Sequence, residues 1–161
     1  SNAATAQSQG FEFESSYYIT PDLKMTFNYG YTEAKMTADV PRLDIESGEE
    51  MAMVPKYNAY LALDQGFSLW DHQAFIRADI SAYGRYNSDF IDKREVDEIP
   101  AYESVNLSGR FEINDRTQIS LHINNLLDEE IITYKQKGKG GNQWLRYGND
   151  RNVTLRLDYI F

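Results

Sequence analysis

From Arg151 to Phe161 every second side chain is apolar: Val153, Leu155, Leu157, Tyr159 and Phe161 share one parity, and Thr154, Arg156, Asp158 and Ile160 the other. A period of two places the apolar set on one face of an extended strand. The pattern recurs upstream in six further segments, and that recurrence restricts the chain to an all-β fold. The segments run over Gly10–Ile19, Lys24–Met36, Lys56–Gly66, Gln73–Tyr86 and Ala101–Ile113, with a sixth beginning at Thr117. Several exceed ten residues, against a usual strand length of about five to six. Nothing reads as a helix.

The links between strands alternate in length. Thr20-Pro21-Asp22-Leu23, the stretch Phe67–His72 and Asn114-Asp115-Arg116 are short; Thr37–Pro55, Asn87–Pro100 and Lys135–Gly148 are long. The expected fold is an antiparallel up-and-down meander of about seven long strands, a segment of a transmembrane β-barrel. Such barrels have short turns at one end and long loops at the other, and they cross the bilayer with strands of about nine to eleven residues. Arg77, Asp79, Arg85, Arg110, Glu112, Arg156 and Asp158 sit within strands opposite the apolar face. A wide membrane barrel has that arrangement, with apolar residues toward lipid and polar ones toward the lumen. Half of a soluble β-sandwich alternates in the same way, so periodicity alone leaves both open. Aromatic residues favour the membrane: Tyr29, Tyr31, Tyr57, Tyr86, Tyr102, Tyr134, Trp144 and Tyr147 gather toward the long loops, and Phe67, Trp70, Tyr159 and Phe161 toward the short turns. Two such belts mark bilayer interfaces.

Composition narrows the function. A length of 161 residues suits one domain. Cysteine is absent, which excludes disulfides and thiolate metal sites. A formal charge of −9 argues against a nucleic-acid partner. Ser1-Asn2-Ala3 reads as the scar of a cleaved tag, so residues 1–9 are taken as a disordered lead and 10–161 as the folded part. His72 and His122 stand apart from other ligands, and the acidic loop Thr37–Pro55 lacks calcium-loop spacing. Lys135, Lys137 and Lys139, interleaved with Gly138, Gly140 and Gly141, do not form a phosphate-binding loop. Nucleophile-elbow and His-Glu-x-x-His patterns are missing. The reading is no enzyme, no cofactor and no metal site.

Asn125-Leu126-Leu127-Asp128 after an alternating strand, a Gly-rich loop, and a last strand ending Tyr159-Ile160-Phe161 resemble the C-terminus of a TonB-dependent outer-membrane receptor. Asn28-Tyr29-Gly30-Tyr31-Thr32, Val54-Pro55-Lys56-Tyr57 and Pro100-Ala101-Tyr102 resemble successive points of the same barrel, so the resemblance runs from about residue 10 to 161. It implies the wall of a barrel of about 22 strands around a plug, in a Gram-negative outer membrane. Such a receptor imports a scarce ligand, such as a ferric siderophore, with energy relayed by the TonB complex. It also implies that Leu155, Leu157, Tyr159 and Phe161 form the signal read by the barrel-assembly machinery. Neither a plug nor a TonB-recognition segment is matched within these residues, and seven strands cannot close as an even-stranded barrel. Arg77, Asp79, Arg110 and Arg156 are the lumen-facing ligand-path candidates, with charge ladders between strands as the plainer role. The partners the resemblance implies are outer-membrane lipid, the TonB complex, the assembly machinery and a small-molecule ligand. The isolated chain is expected to self-associate through its apolar stripe and open edges. The rival readings are a soluble β-sandwich or barrel binding module and the translocator barrel of a secretion system.

Overall fold

The computed structural model describes residues 5–88, 98–137 and 142–161. In chain order its strands are β1 (Ala6–Thr20), β2 (Leu23–Met36), β3 (Tyr57–Leu69), β4 (His72–Tyr83), β5 (Tyr86–Asn87), β6 (Glu98–Ile99), β7 (Tyr102–Asn114), β8 (Thr117–Asn124), β9 (Ile132–Lys137), β10 (Gln143–Tyr147) and β11 (Asn152–Tyr159). Seven of them form one sheet in the order β1-β2-β3-β4-β7-β8-β11, every neighbour antiparallel. This is the expected up-and-down meander.

Register explains the two faces. Met25, Leu63, Ala78, Leu107, Ile123 and Val153 lie opposite one another in a single row across six strands. The adjacent row is Lys24, Asp64, Arg77, Ser108, His122 and Thr154, and it points the other way. A slip of one residue would exchange the two rows on every strand. The apolar parity therefore holds the register.

Neither face is covered. Among the described residues each strand packs only against its ladder neighbours, apart from β6 against β9. A β-sandwich would need a second layer, and among the described residues the sheet has none. The chain exposes 11579 Å², whereas a compact globule of 18.6 kDa exposes about 8,200 Å². Fully or nearly fully buried apolar residues are few, and Ile45, Ile99 and Ile131 among them belong to the loops rather than to the sheet. A chain built this way relies on an apolar surrounding for the stability that a globule takes from its own core.

Four expectations are corrected in detail. Strand β1 begins at Ala6 rather than Gly10, pairing Ala6–Gln9 with Glu33–Met36. This stretch has no apolar alternation because it rises beyond the apolar band, and it is held by backbone pairing with a Gln9 Nε2 to Glu33 Oε2 hydrogen bond of 2.9 Å. Ser1-Asn2-Ala3 lies outside the described residues. Strand β4 stops at Tyr83, not Tyr86: the Gly84 N–H donates to the Tyr57 carbonyl at 2.8 Å, and a Cβ at 84 would stand 2.8 Å from the Tyr57 ring. Arg85 is consequently a loop residue, paired with Glu98 at 2.5 Å, and not a sheet residue. The long links carry structure of their own, two short ribbons (β5 with β6, β9 with β10) and one 3-10 turn at Pro41–Leu43.

Candidate functional site

The polar face gathers the charged residues that the alternation isolates. Arg77 bridges strands: Nη1 donates to Asp64 Oδ1 at 2.8 Å, Nη2 to the Tyr60 hydroxyl at 2.5 Å, and Nε lies 3.6 Å from Asp79 Oδ1. Asp79 Oδ2 accepts from Asn106 Nδ2 at 2.8 Å, and Asn106 Oδ1 accepts the Asn125 N–H at 3.1 Å. Arg110 and Arg156 are arranged differently. Each pairs along its own strand, Arg110 with Glu112 at 3.5 Å and Arg156 with Asp158 at 2.7 Å, and Arg110 also lies 4.2 Å over the Phe75 ring. The expected ladder between strands thus holds for Arg77 and Asp64 alone of these pairs.

Arg77, Arg110 and Arg156 line one open cavity of about 420 Å³, together with Ser108, Ser120 and His122. Asp79 braces the cavity from the second position along Arg77's strand. These ion pairs are partly solvated, so each is worth about 0–1 kcal/mol. Their effect is to hold three guanidinium groups in set orientations on a wet, charge-balanced wall. Among the described residues, no three His, Asp or Glu side chains come together to hold a metal.

At the long-loop end the three connections form a joined layer. The Met53 N–H donates to the Asn87 carbonyl at 2.7 Å, which ties the first loop to the second. The Tyr86 hydroxyl donates to the Thr133 carbonyl at 2.7 Å, the Ser88 hydroxyl to the Lys135 carbonyl, and Lys135 Nζ to the Glu98 carbonyl at 3.1 Å, tying the second to the third. Burial pushes the Tyr86 hydroxyl above its ordinary pKa, so it remains a donor across the physiological range. Beside this layer a hydrogen bond and ion pair from Lys35, with a further hydrogen bond from Gln9, hold the Glu33 carboxyl below its usual range.

The β9–β10 hairpin presents Tyr134, Gln136, Trp144 and Arg146 on one face, since Trp144 is opposite Gln136 and Arg146 opposite Tyr134. Trp144 is 67% exposed and Arg146 lies 5.9 Å over the Tyr134 ring. Tyr134, Trp144 and Tyr147 therefore belong to an outlying hairpin instead of a belt on the sheet. Tyr102 departs from the belt as well: it sits on the polar parity, stacked on Tyr83 at 5.0 Å. Lys139 and its flanking glycines lie outside the described residues.

A corner joins the wall to the loops, and the charge pattern had not singled it out. Asn125 is 3% exposed. Its Nδ2 donates to the Glu129 and Asn149 carbonyls at 2.9 and 3.1 Å, and its Oδ1 accepts the Glu129 N–H at 3.0 Å. Asn125 and Asp128 both take positive φ, 50° and 59°, a conformation that Asn and Asp tolerate. Asp128 receives the Arg151 N–H at 3.3 Å and an ion pair from its guanidinium at 3.2 Å. The motif thus closes both ends of the third loop onto β7 and β8. The available signal in the sequence was Asn and Asp at both ends of a short apolar pair.

The sequence model of the family described as TonB dependent receptor-like, beta-barrel matches residues 1–126. The chain belongs to the TonB-dependent receptor family. Over 156 residues, 96% of the chain, it is 30% identical to the metal-pseudopaline receptor CntO of Pseudomonas aeruginosa. It is 26% identical over 136 residues to the ferrichrome outer membrane transporter/phage receptor of Escherichia coli K12. The chain spans about a fifth of the length of these relatives, 21% and 17%. Among solved structures it superimposes on the ferric yersiniabactin uptake receptor FyuA of Yersinia pestis with a TM-score of 0.87, at 19% identity, covering 99% of this chain and 24% of that one. At that identity the match concerns the fold. The TonB-dependent receptors are outer-membrane β-barrels of Gram-negative bacteria and act in transport, so the apolar face of this sheet meets lipid and the polar face the lumen.

Proposed function

We propose that this chain is the C-terminal wall of a receptor that imports a metal chelate of the siderophore type, the whole receptor being driven through TonB. The observation that carries the reading is the exposed face of Trp144, Tyr134 and Arg146 on a hairpin tied into the loop layer. Flat aromatic rings with a guanidinium suit a planar or anionic chelate, because both stacking and charge-assisted hydrogen bonds are on offer. Its similarity to the metal-pseudopaline receptor CntO, the ferrichrome outer membrane transporter and the ferric yersiniabactin uptake receptor FyuA supports the reading. Within the lumen Arg77, Asp79, Arg110 and Arg156 give a hydrated, charge-balanced path. Leu155, Leu157 and Tyr159 on β11, with Phe161 just past its end, stand exposed along an open edge, which suits a segment that the assembly machinery reads by strand pairing. The same stripe and edge would drive the isolated chain to self-associate in water.

The test is uptake of a panel of iron-loaded chelates by cells carrying the full-length receptor. One of them should be imported by the parent, and Trp144→Ala should weaken its binding by about tenfold at unchanged surface amounts. Import of none would overturn the functional reading; full import by Trp144→Ala would remove the hairpin from it.

A further inference from the structure

We infer that the outer face carries a slot for one phospholipid acyl chain in the periplasmic leaflet. A groove of about 400 Å³ opens on the apolar side near the short-turn end, lined by Phe67, Trp70, Gly109, Phe111, Leu121 and Leu155 among others. That volume is within the range of small-molecule pockets, about 300–1,000 Å³. Its floor is Gly109, which lies opposite Ile76 on β4 and Leu121 on β8, in an otherwise bulky row. Nothing in the fold requires a glycine there. A Cβ at 109 would meet only the Phe75 carbonyl oxygen, at 3.8 Å, an ordinary contact. A side chain would therefore fit, and its absence leaves a furrow in a wall whose neighbours Ile76 and Leu121 stand 44% and 41% exposed.

The position of the groove names its occupant. It is continuous with the lipid-facing band, and its lining is apolar apart from Arg110 and Ser120, which belong to the opposite parity, so it takes a hydrocarbon chain. It sits against the short turns, which face the periplasm, so the chain comes from a phospholipid of the inner leaflet. Trp70 marks the rim. It is 78% exposed in the Leu69–His72 link, where Trp70 and Asp71 both have positive φ, 51° and 64°, and its ring meets Phe111 edge-on at 6.2 Å. An indole held there reaches the headgroup level, where Trp is favoured, with the acyl chain running past Phe111 toward Leu121.

The inference rests on the apolar face meeting lipid, and the test separates the two. The full-length receptor is purified in mild detergent with palmitoyl-oleoyl phosphatidylethanolamine added, and retained lipid is counted by native mass spectrometry. The parent should hold one phospholipid through a collision energy that strips the rest. Gly109→Leu should reduce that species about tenfold, equivalent to about 1.4 kcal/mol, and Ala59→Leu, on the same face but nearer the long loops, should not. Should Gly109→Leu fail to assemble, Leu121→Trp fills the groove from its wall. Equal retention in parent and filled variants overturns the slot alone. A parent that retains no lipid at any energy counts against both the slot and the lipid-facing assignment.

Discussion

Placing an arginine at Leu63 destabilises the barrel by about 2–4 kcal/mol, the cost of a cation on the lipid face near the bilayer midplane. Leu63 is central on β3, flanked in its row by Met25 and Ala78, and it is 41% exposed on the bare sheet. In a membrane that exposed fraction lies in hydrocarbon, and the guanidinium would have to be neutralised, hydrated by a water defect or drawn toward an interface. The same substitution at Ser104, on the polar parity beside Ser81, leaves the cation in the hydrated lumen and should cost less than about 1 kcal/mol. Denaturant midpoints of the two full-length variants in lipid vesicles read the difference. Equal losses would mean that the two faces see the same solvent, and the barrel reading would fail.

The second large effect belongs to Asn125→Ala. Three side-chain hydrogen bonds vanish at a buried position, two stranding carbonyls of Glu129 and Asn149 and one the Glu129 N–H. At about 1 kcal/mol each, and about 1 kcal/mol more for alanine in a left-handed conformation, the loss approaches 4 kcal/mol. Asn125→Gly keeps the backbone permissive and should recover only the conformational part. Asn125→Asp keeps one acceptor but turns a carboxylate toward two carbonyls, so it should be no better than alanine. Thermal unfolding of the full-length receptor in detergent ranks the three. A midpoint shift for Asn125→Ala equivalent to less than about 1 kcal/mol of stability would show that the corner is dispensable.

Much of this was legible because a sheet with one greasy face writes its register into parity. Leu107, Ile123 and Val153 each announce the face of their neighbours, and the row they form is the row the alternation predicts. The ends were less legible. Gln7 and Gln9 extend β1 with no apolar signal, since above the lipid band pairing with Glu33 and Lys35 needs only backbone and polar contacts. Tyr86 continues the alternation of β4 on paper, yet Gly84 makes room for the Tyr57 ring and the chain turns away. The ribbons β5–β6 and β9–β10 are held by bonds between loops distant in sequence, Tyr86 to Thr133 among them, which no local pattern records. At the candidate site, Arg77 and Asp79 were visible as charges inside a strand. Tyr60 and Asn106, which orient them, carry no charge and gave no sign, and Asn125, which ties them to the loops, showed only as part of an Asn-Leu-Leu-Asp run with no hint of its partners.

The account stands on one orientation: lipid against the apolar rows, long loops outside the cell and short turns in the periplasm. Single cysteines at Ser47 and Asp115, in a full-length receptor otherwise free of exposed thiols, test it with an impermeant maleimide on intact cells. Labelling at position 47 on whole cells, and at 115 only after the outer membrane is opened, is the predicted result. Labelling of 115 from outside would contradict it.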